Sequence, residues 1–187
     1  MGRQPKARQV ILDAARYIVR ERGAGSLTYE ELVKQSGLTR GGITYHFPTK
    51  DVLLRELVSC DIEQWRELEE QLKPKLDNDA AAELIAYIRS HSEPDEDHRR
   101  FVTGMLSAAT LDPSLLDTVR EYNDERTAKL KWTEQQLMQH LLRLASEGLF
   151  WSEIFGCSQL PAKVRKRLVA RMEQLAEEWT EDDAGGE

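Results

Sequence analysis

The strongest constraint on the fold is a helix start signal at Thr28. Glu31 follows three residues later, and a Thr-x-x-Glu pair forms a capping box, in which each side chain bonds the backbone N–H of the other residue. Leu27 and Leu32 occupy the flanking positions of a hydrophobic staple, which fixes how the chain enters the helix. Together these features predict a helix over residues 29–35.

A second short helix follows after a tight turn. Gly37 ends the first helix, because glycine accepts the left-handed conformation of a helix cap, and Thr39 can cap a helix over residues 40–46. Two helices joined in this way form a helix-turn-helix motif, whose second helix enters a DNA major groove. Gly41 and Gly42 each weaken that helix by roughly 1 kcal/mol relative to alanine. A helix selected only for stability would avoid them. Their presence therefore indicates that the backbone of this helix approaches DNA closely.

Lys50 lies where a positive charge is electrostatically unfavourable. It falls in the first turn of a predicted fourth helix, and the N-terminal end of a helix dipole is positive. A phosphate lying across that helix end would bind both the lysine and the free backbone N–H groups. The alternative is a solvated lysine that carries a small energetic penalty.

Apolar residues recur at helical spacing through the rest of the chain, and no strand-like alternation is persuasive. We therefore predict an all-α fold of about nine helices, with an N-terminal three-helix DNA-binding domain and a helical bundle after it. The predicted domains are residues 1–50, with helix four at about 50–73 as the link, residues 51–180, and a disordered acidic tail at 181–187.

Two of the predicted helices in the second half are long. One runs over residues 115–147 and is interrupted at Gly148, and the other runs from Pro161 to Trp179. Between them, "LFWSEIFG" at residues 149–156 is predicted to be a short aromatic piece of its own.

Charge is distributed unevenly along the chain. Residues 1–50 carry nine Lys or Arg and four Asp or Glu, whereas the whole chain has a formal net charge of −7. A basic N-terminal part followed by an acidic remainder indicates that only the N-terminal part meets a polyanion; chance clustering of solvated charges is the alternative. With no signal peptide, no membrane-length apolar run and only two cysteines without metal-type spacing, the expected location is cytoplasmic.

The segment "LTYEELVKQSGLTRGGITYHFPTKDVLLREL", residues 27–57, strongly resembles the N-terminal DNA-binding region of TetR-family transcriptional regulators. The similarity covers about residues 6–58, and its most specific part is Gly-Leu-Thr at 37–39, Tyr-His-Phe at 45–47 and Lys50. The resemblance implies phosphate contacts from Thr28 and Tyr29, base-edge contacts from Thr39, Arg40, Gly41 and Thr44, and backbone contacts from Tyr45, His46 and Lys50.

Gly42 belongs to the same DNA-binding set through its backbone, but it stands where the family often has a polar side chain. One direct contact is therefore missing, and we expect Arg40 to carry most of the base discrimination. A bidentate bond from Arg40 to guanine would be worth about 1–3 kcal/mol. By the same resemblance Phe47 is structural.

The resemblance also implies a homodimer that binds a palindromic operator, usually as a repressor, and that is released by a small apolar or amphipathic effector. No cofactor is expected. The predicted dimer interface is Leu137, Leu141, Leu144, Leu168, Met172, Leu175 and Trp179. The predicted ligand-binding residues are Trp65, Phe101, Met105, Leu106, Tyr122, Trp151 and Phe155. For both sets, the alternative is a core internal to one chain.

Other functions fit the sequence less well. No phosphate-binding, nucleophile-elbow, dinucleotide or zinc-protease motif is found, so we predict that the protein is not an enzyme. His91 and His98 lie in a polar segment without metal-ligand spacing, so no metal site is predicted and surface positions are expected for both. A helical interaction module whose basic head binds an acidic protein partner is the alternative function.

Overall fold

A computed structural model of the protein describes residues 4–92, 96–157 and 160–180. Within these ranges the chain folds into nine α-helices and has no β-strand, which confirms the predicted all-α fold. None of the described helices is both long and apolar enough to cross a membrane. The helices are α1 Gln4–Arg22, α2 Tyr29–Ser36, α3 Arg40–His46, α4 Lys50–Leu72, α5 Asp79–Ser92, α6 Glu96–Leu111, α7 Asp117–Thr127, α8 Glu134–Ile154 and α9 Ala162–Glu178.

The N-terminal helices end where local signals predict. Gly23 adopts a φ of 78° directly after α1, and a short 3₁₀ turn at Ala24–Ser26 leads into α2. Gly37 has a φ of 69° at the end of α2. A left-handed φ of this size is strained for residues that carry a Cβ, so these two glycines set where the chain turns. The predicted bounds of α3 are confirmed.

The predicted long helix over residues 115–147 is wrong, because the chain breaks within it. A 3₁₀ turn at Pro113–Leu116 precedes α7, and after α7 the chain leaves helical geometry until α8 begins. Trp132 has a φ of 56°, and Thr133 then caps α8 through a full capping box with Gln136. The apolar spacing continues across the break, which is why the pattern predicts one helix where there are two.

The predicted interruption at Gly148 is also wrong. Helix α8 continues through this glycine to Ile154, so the aromatic segment is its last turns and not a separate piece. A helix-interior glycine costs only about 1 kcal/mol, which the burial of its neighbours Leu149 and Phe150 offsets. The helix ends instead before Gly156, which has a φ of 64°.

The described residues form two compact units. The first comprises residues 4–63 and 96–125, and the second comprises residues 64–92, 126–157 and 160–180. These bounds differ from the predicted boundary after residue 50, because α6 packs against α1 and so joins the N-terminal helices. The predicted tail at residues 181–187 lies outside the described residues.

The core of the first unit surrounds the helix-turn-helix. Ile43 from α3, Phe47 directly after α3, and Leu32 from α2 are almost fully buried with the apolar face of α1 and the start of α4. Helix α6 approaches α1 so closely at Gly104 that a Cβ placed there would lie 2.2 Å from the carbonyl oxygen of Val19. The absence of a side chain at Gly104 therefore sets the spacing of these two helices.

The second unit has its own core, formed by α5, α8 and α9. Six side chains are buried together, and Val169, Leu175 and Trp179 pack against them from α9. Asn78 caps α5 by accepting from the Ala81 N–H at 3.2 Å, and its amide donates to the Thr180 carbonyl at 2.8 Å. The buried six are Leu84, Ile85, Ile88, Leu142, Met172 and Ala176.

Candidate nucleic-acid interface

Two threonine caps hold the helix-turn-helix in place. The Thr28 hydroxyl accepts from the Glu31 N–H at 3.2 Å, which confirms one half of the predicted capping box. The reciprocal bond from the Thr28 N–H to the Glu31 carboxylate is not formed within the described residues. The Glu31 carboxylate itself is bound by the Arg22 guanidinium at 2.7 Å. At the second helix, the Thr39 hydroxyl accepts from the Gly42 N–H at 3.2 Å. Each cap is worth about 1 kcal/mol, so the local sequence fixes both helix starts.

The outer face of α3 is open because its inner face is used for the core. Ile43 and Phe47 point inward, which leaves the glycines and Tyr45 on the outside. A Cβ at Gly41 would meet no atom within 4 Å, whereas one at Gly42 would lie 3.3 Å from the Thr39 hydroxyl oxygen. Gly41 is thus free to approach a ligand, and Gly42 additionally leaves room for the cap.

The last turn of α3 presents polar and aromatic groups. The Thr44 hydroxyl donates back to the carbonyl oxygens of Arg40 at 3.1 Å and Gly41 at 3.3 Å, which keeps this half-buried side chain against its own helix. Tyr45 is 70% exposed, and its ring meets the half-buried His46 edge-on at 5.2 Å. A helix end with a large exposed aromatic ring is typical of a binding surface.

Arg40 is held by two residues of α2. Its guanidinium donates to the Glu30 carboxylate at 3.0 Å and lies 5.3 Å from the centre of the Tyr29 ring. The Arg40 and Glu30 side chains are 66% and 72% exposed, so the ion pair is weak and easily exchanged. Sequence reasoning missed Glu30, since the pair forms only when α2 and α3 are packed side by side.

Tyr29 has a structural role beside its predicted phosphate contact. Its hydroxyl donates to the carbonyl oxygen of Phe47 at 3.0 Å, which ties the start of α2 to the end of α3. The hydroxyl oxygen retains acceptor capacity only. A phosphate contact from this hydroxyl would require that bond to be exchanged, and the contact stays a prediction.

Lys50 lines a shallow hollow of about 210 Å³ between the starts of α2 and α4. Backbone N–H groups at two helix N-termini face this region, and Thr49 caps α4 by accepting from the Val52 N–H at 3.2 Å. Within the described residues Lys50 forms no ion pair, so its charge is available to a ligand. The hollow is lined by Leu27, Thr28, Tyr29, Glu30, Leu32, Lys50 and Leu53.

Two family models match the chain. Residues 11–57 match the model for bacterial regulatory proteins of the tetR family, and residues 81–177 match the tetracyclin repressor-like C-terminal domain. The second match alone covers more than half of the chain. The protein belongs to the TetR family of transcriptional regulators. The resemblance found at the helix-turn-helix is therefore confirmed.

Known TetR-family relatives share the fold more than the sequence. The HTH-type transcriptional regulator AcrR of Shigella flexneri is 29% identical over 97 residues, a match that spans 50% of this chain and only 45% of that protein. A TetR-family member from Streptomyces coelicolor A3 superposes with a TM-score of 0.70 at 19% identity, covering 90% of this chain and 98% of that one. The multidrug binding protein EbrR complexed with ethidium gives a TM-score of 0.64 at 19% identity, with coverages of 90% and 98%.

The predicted ligand-binding residues of this TetR-family chain fall in different places. Phe101, Met105 and Tyr122 are buried in the first unit, and the Arg16 guanidinium lies 4.1 Å from the Phe101 ring centre. Leu106 is half-buried in the same unit. Trp65 belongs to an aromatic cluster of the second unit. Trp151 and Phe155 are exposed and stack on each other at 5.8 Å. The seven residues are thus not gathered within one unit.

The predicted dimer-interface residues divide into two groups. Leu137, Leu141, Leu144 and Leu168 are 40–55% exposed, as an unfilled interface requires. Met172 is buried in the second unit's own core, and Leu175 and Trp179 pack against that core from the same helix. The α9 residues that face α5 are therefore already partnered within the chain.

The two histidines singled out in the sequence are not surface loop residues. His91 lies at the end of α5, where its ring stacks on Tyr87 at 4.1 Å. His98 lies in α6, 3.4 Å from the Asp61 carboxylate, which also accepts from Arg16 at 2.8 Å. The surface positions expected for both are wrong, because each ring is packed among partners. Among the described residues no cluster of histidine, cysteine or carboxylate groups has metal-binding geometry.

Proposed function

We propose that this protein is a repressor that binds a palindromic DNA operator as a homodimer and is released by a small effector. One observation carries the DNA-binding part. Arg40, on the exposed face of α3, contacts Glu30 and Tyr29, and both of these residues line the hollow that contains Lys50. A base-reading side chain and a phosphate-binding hollow therefore adjoin each other.

The hollow at Lys50 suits a backbone phosphate. An anion placed there would meet the lysine ammonium and the free N–H groups at the start of α4. Such contacts position a protein on DNA without reading its sequence. Each phosphate contact also releases counterions, so affinity should fall steeply between about 50 and 200 mM salt.

The outer face of α3 suits base readout. Arg40 is the one long cation on this short helix, and its planar fork matches the O6 and N7 acceptors of guanine. Gly41 lets the helix lie deep in the groove, because no side chain stands between the backbone and the bases. We assign base discrimination mainly to Arg40.

The dimer is supported by an exposed apolar stripe along α8. Its residues recur at alternating spacings of three and four, with Gly148 filling one step, so they lie along one side of the helix. Exposed apolar residues that adjoin one another along one side of a helix are typical of a protein–protein interface. The stripe consists of Leu137, Leu141, Leu144, Trp151 and Phe155, and Val164 and Leu168 are exposed on the adjoining α9.

Selection of bound fragments from random duplex DNA tests the operator. The full-length protein should enrich a palindrome whose half-sites lie about one helical turn, 34–36 Å, or a multiple of it apart. Arg40→Ala should relax preference at one base position, whereas Lys50→Ala should weaken binding to every duplex by a similar factor. Equal losses for both variants on specific and scrambled DNA would contradict these assignments.

Sedimentation equilibrium tests the dimer separately. Leu141→Glu places a charge in the exposed stripe and should shift the protein from dimer to monomer. Lys166→Glu is the matched control. Lys166 is exposed on α9, on the side of the helix opposite to Val164 and Leu168, so its charge reversal should leave the dimer intact. A wild-type protein that sediments as a monomer at micromolar concentration would refute the interface.

Release by an effector requires a population shift. A molecule that binds one conformational state of the protein better than another by a few kcal/mol moves the equilibrium toward that state. A structural neighbour of this chain is a multidrug binding protein complexed with ethidium, which supports a ligand-binding role for this chain as well.

A further inference from the structure

Arg143 is a half-buried cation that contacts an aromatic ring but has no paired carboxylate among the described residues. It lies on α8 in the second unit, with its guanidinium carbon 4.6 Å from the centre of the Tyr87 ring. Its Nη1 is buried and has no hydrogen-bond partner among the described residues, and no carboxylate there forms an ion pair with it. Burial lowers the pKa of Arg143, and the nearby Arg126 lowers it further. A desolvated charge left unpaired is costly, so a group that supplies the missing anion is expected.

Other arginines of the second unit are satisfied, which makes Arg143 an exception. Arg126 donates from both terminal nitrogens to the Glu69 carboxylate, at 3.1 and 2.8 Å. Arg89 binds Glu173 through two bonds of 2.9 Å. Both of these half-buried guanidinium groups are therefore paired with a carboxylate of the same chain, and Arg143 is not.

A second unpartnered group lies beside the first. The Nδ1 atom of His140 is buried and also has no hydrogen-bond partner within the described part of the chain. His140 precedes Arg143 by three positions on α8, and residues so spaced are neighbours on a helix surface, with Cβ atoms about 5–6 Å apart. The His140 ring meets Trp132 edge-on at 5.2 Å. In the tautomer that carries its proton on Nδ1, an imidazole N–H and a guanidinium N–H on one side of α8 both lack an acceptor.

The surroundings of Arg143 are aromatic. Tyr87 is buried, stacks on His91, and carries the Arg126 guanidinium 4.9 Å from its ring centre as well. Trp65 and Phe150 meet the His91 ring edge-on at 4.9 and 5.9 Å. The carboxylates near Arg143 already have other partners. Glu69 binds Arg126, and Glu83 lies 3.6 Å from the Lys73 ammonium. Glu147 accepts the Tyr87 hydroxyl.

We propose that the second unit binds a small molecule with a carboxylate on an aromatic body, and that the carboxylate bonds to Arg143 and His140. A carboxylate supplies acceptors to both unpartnered groups at once, and an aromatic body suits the rings around them. Two guanidinium groups on one tyrosine ring disfavour a cationic ligand such as ethidium. This inference rests on the proposed function only in identifying the ligand as the effector.

Binding is measured first without DNA, so that its outcome is independent of the operator. Benzoate, phenylacetate and indole-3-acetate are titrated into the full-length protein by calorimetry, each beside its neutral primary amide. At least one acid should bind while its amide does not. Arg143→Met should weaken that acid about 10- to 100-fold, because a charge-assisted hydrogen bond is lost. Arg171→Met, an exposed arginine on α9, is the matched control and should bind as the wild type does.

The stability of the unliganded protein separates a ligand-binding arginine from a structural one. Removing an unpaired buried charge should leave the melting temperature of Arg143→Met unchanged or raise it. A fall of more than a few degrees would show that the side chain holds the fold and would overturn the proposal. Failure of all three acids, or equal binding of an acid to wild type and Arg143→Met, would overturn it as well. An acid that binds through Arg143 but leaves operator affinity unchanged would refute only its role as effector.

Discussion

The close approach of α6 to α1 makes Gly104→Ala a sharp test of the first unit. An added Cβ would lie 2.2 Å from the Val19 carbonyl oxygen and 3.0 Å from its carbon, both of which are backbone atoms that cannot rotate away. Relief therefore requires the two helices to separate by about 1 Å. Overpacking of this kind costs typically 1–3 kcal/mol, against a gain of at most about 1 kcal/mol from replacing glycine in a helix.

The net loss should be about 1–2 kcal/mol, which lowers the melting temperature of a chain of this size by about 2–8 °C. Thermal unfolding followed by circular dichroism at one fixed protein concentration measures it, since dimerisation would make the midpoint depend on concentration. Gly41→Ala is the matched control, because a Cβ there meets nothing within 4 Å, and its midpoint should not fall. A Gly104→Ala protein as stable as the wild type would refute the close contact between α1 and α6.

Two further outcomes follow from local chemistry. Thr39→Ala should lower the free energy of unfolding by about 1 kcal/mol in urea, whereas Thr39→Ser should retain most of it, because serine keeps the capping oxygen of α3. Burial lowers the pKa of His91 from its ordinary 6.5 to about 4. Between these two values the unfolded chain binds a proton at His91 that the folded chain does not. The contribution of neutral His91 to the free energy of unfolding is therefore complete above about pH 6.5. It declines toward pH 4 by up to about 1.4 kcal/mol per pH unit. His91→Phe should flatten this decline in urea titrations from pH 4.5 to 7.5, and an unchanged slope would contradict it.

The features that the sequence predicts well are those whose cause is local. Thr28, Gly37 and Thr39 act within four residues of themselves, through a hydroxyl that accepts a nearby N–H or through a left-handed backbone. Their signals are therefore visible in a short window, and the bounds of α3 follow from them. The break before α8 also has a local signal, since Thr133 and Gln136 have capping-box spacing, but the continuous apolar spacing across this segment outweighed it in the prediction.

The features that the sequence does not predict depend on packing between distant segments. The bond of Arg40 to Glu30 needs α2 and α3 side by side, although both residues are plain in the sequence. Likewise, Phe101 and Trp65 are both large aromatic residues within predicted helices, and nothing in the sequence around either residue shows that the two belong to different units. The unsatisfied state of Arg143 is still less visible, because it depends on what every neighbouring carboxylate already binds.

The weak bond between Arg40 and Glu30 has a consequence for how the protein searches a genome. In the free protein the Glu30 carboxylate partly neutralises the Arg40 guanidinium, which reduces the non-specific electrostatic attraction between α3 and DNA. If Arg40 reads guanine as proposed, a guanine edge at a matched site would bind the guanidinium through two hydrogen bonds in place of Glu30. At a mismatched site the released carboxylate would face phosphates and be repelled. Glu30 would then shorten the time that the protein spends bound to mismatched sequences more than it weakens binding to the matched sequence.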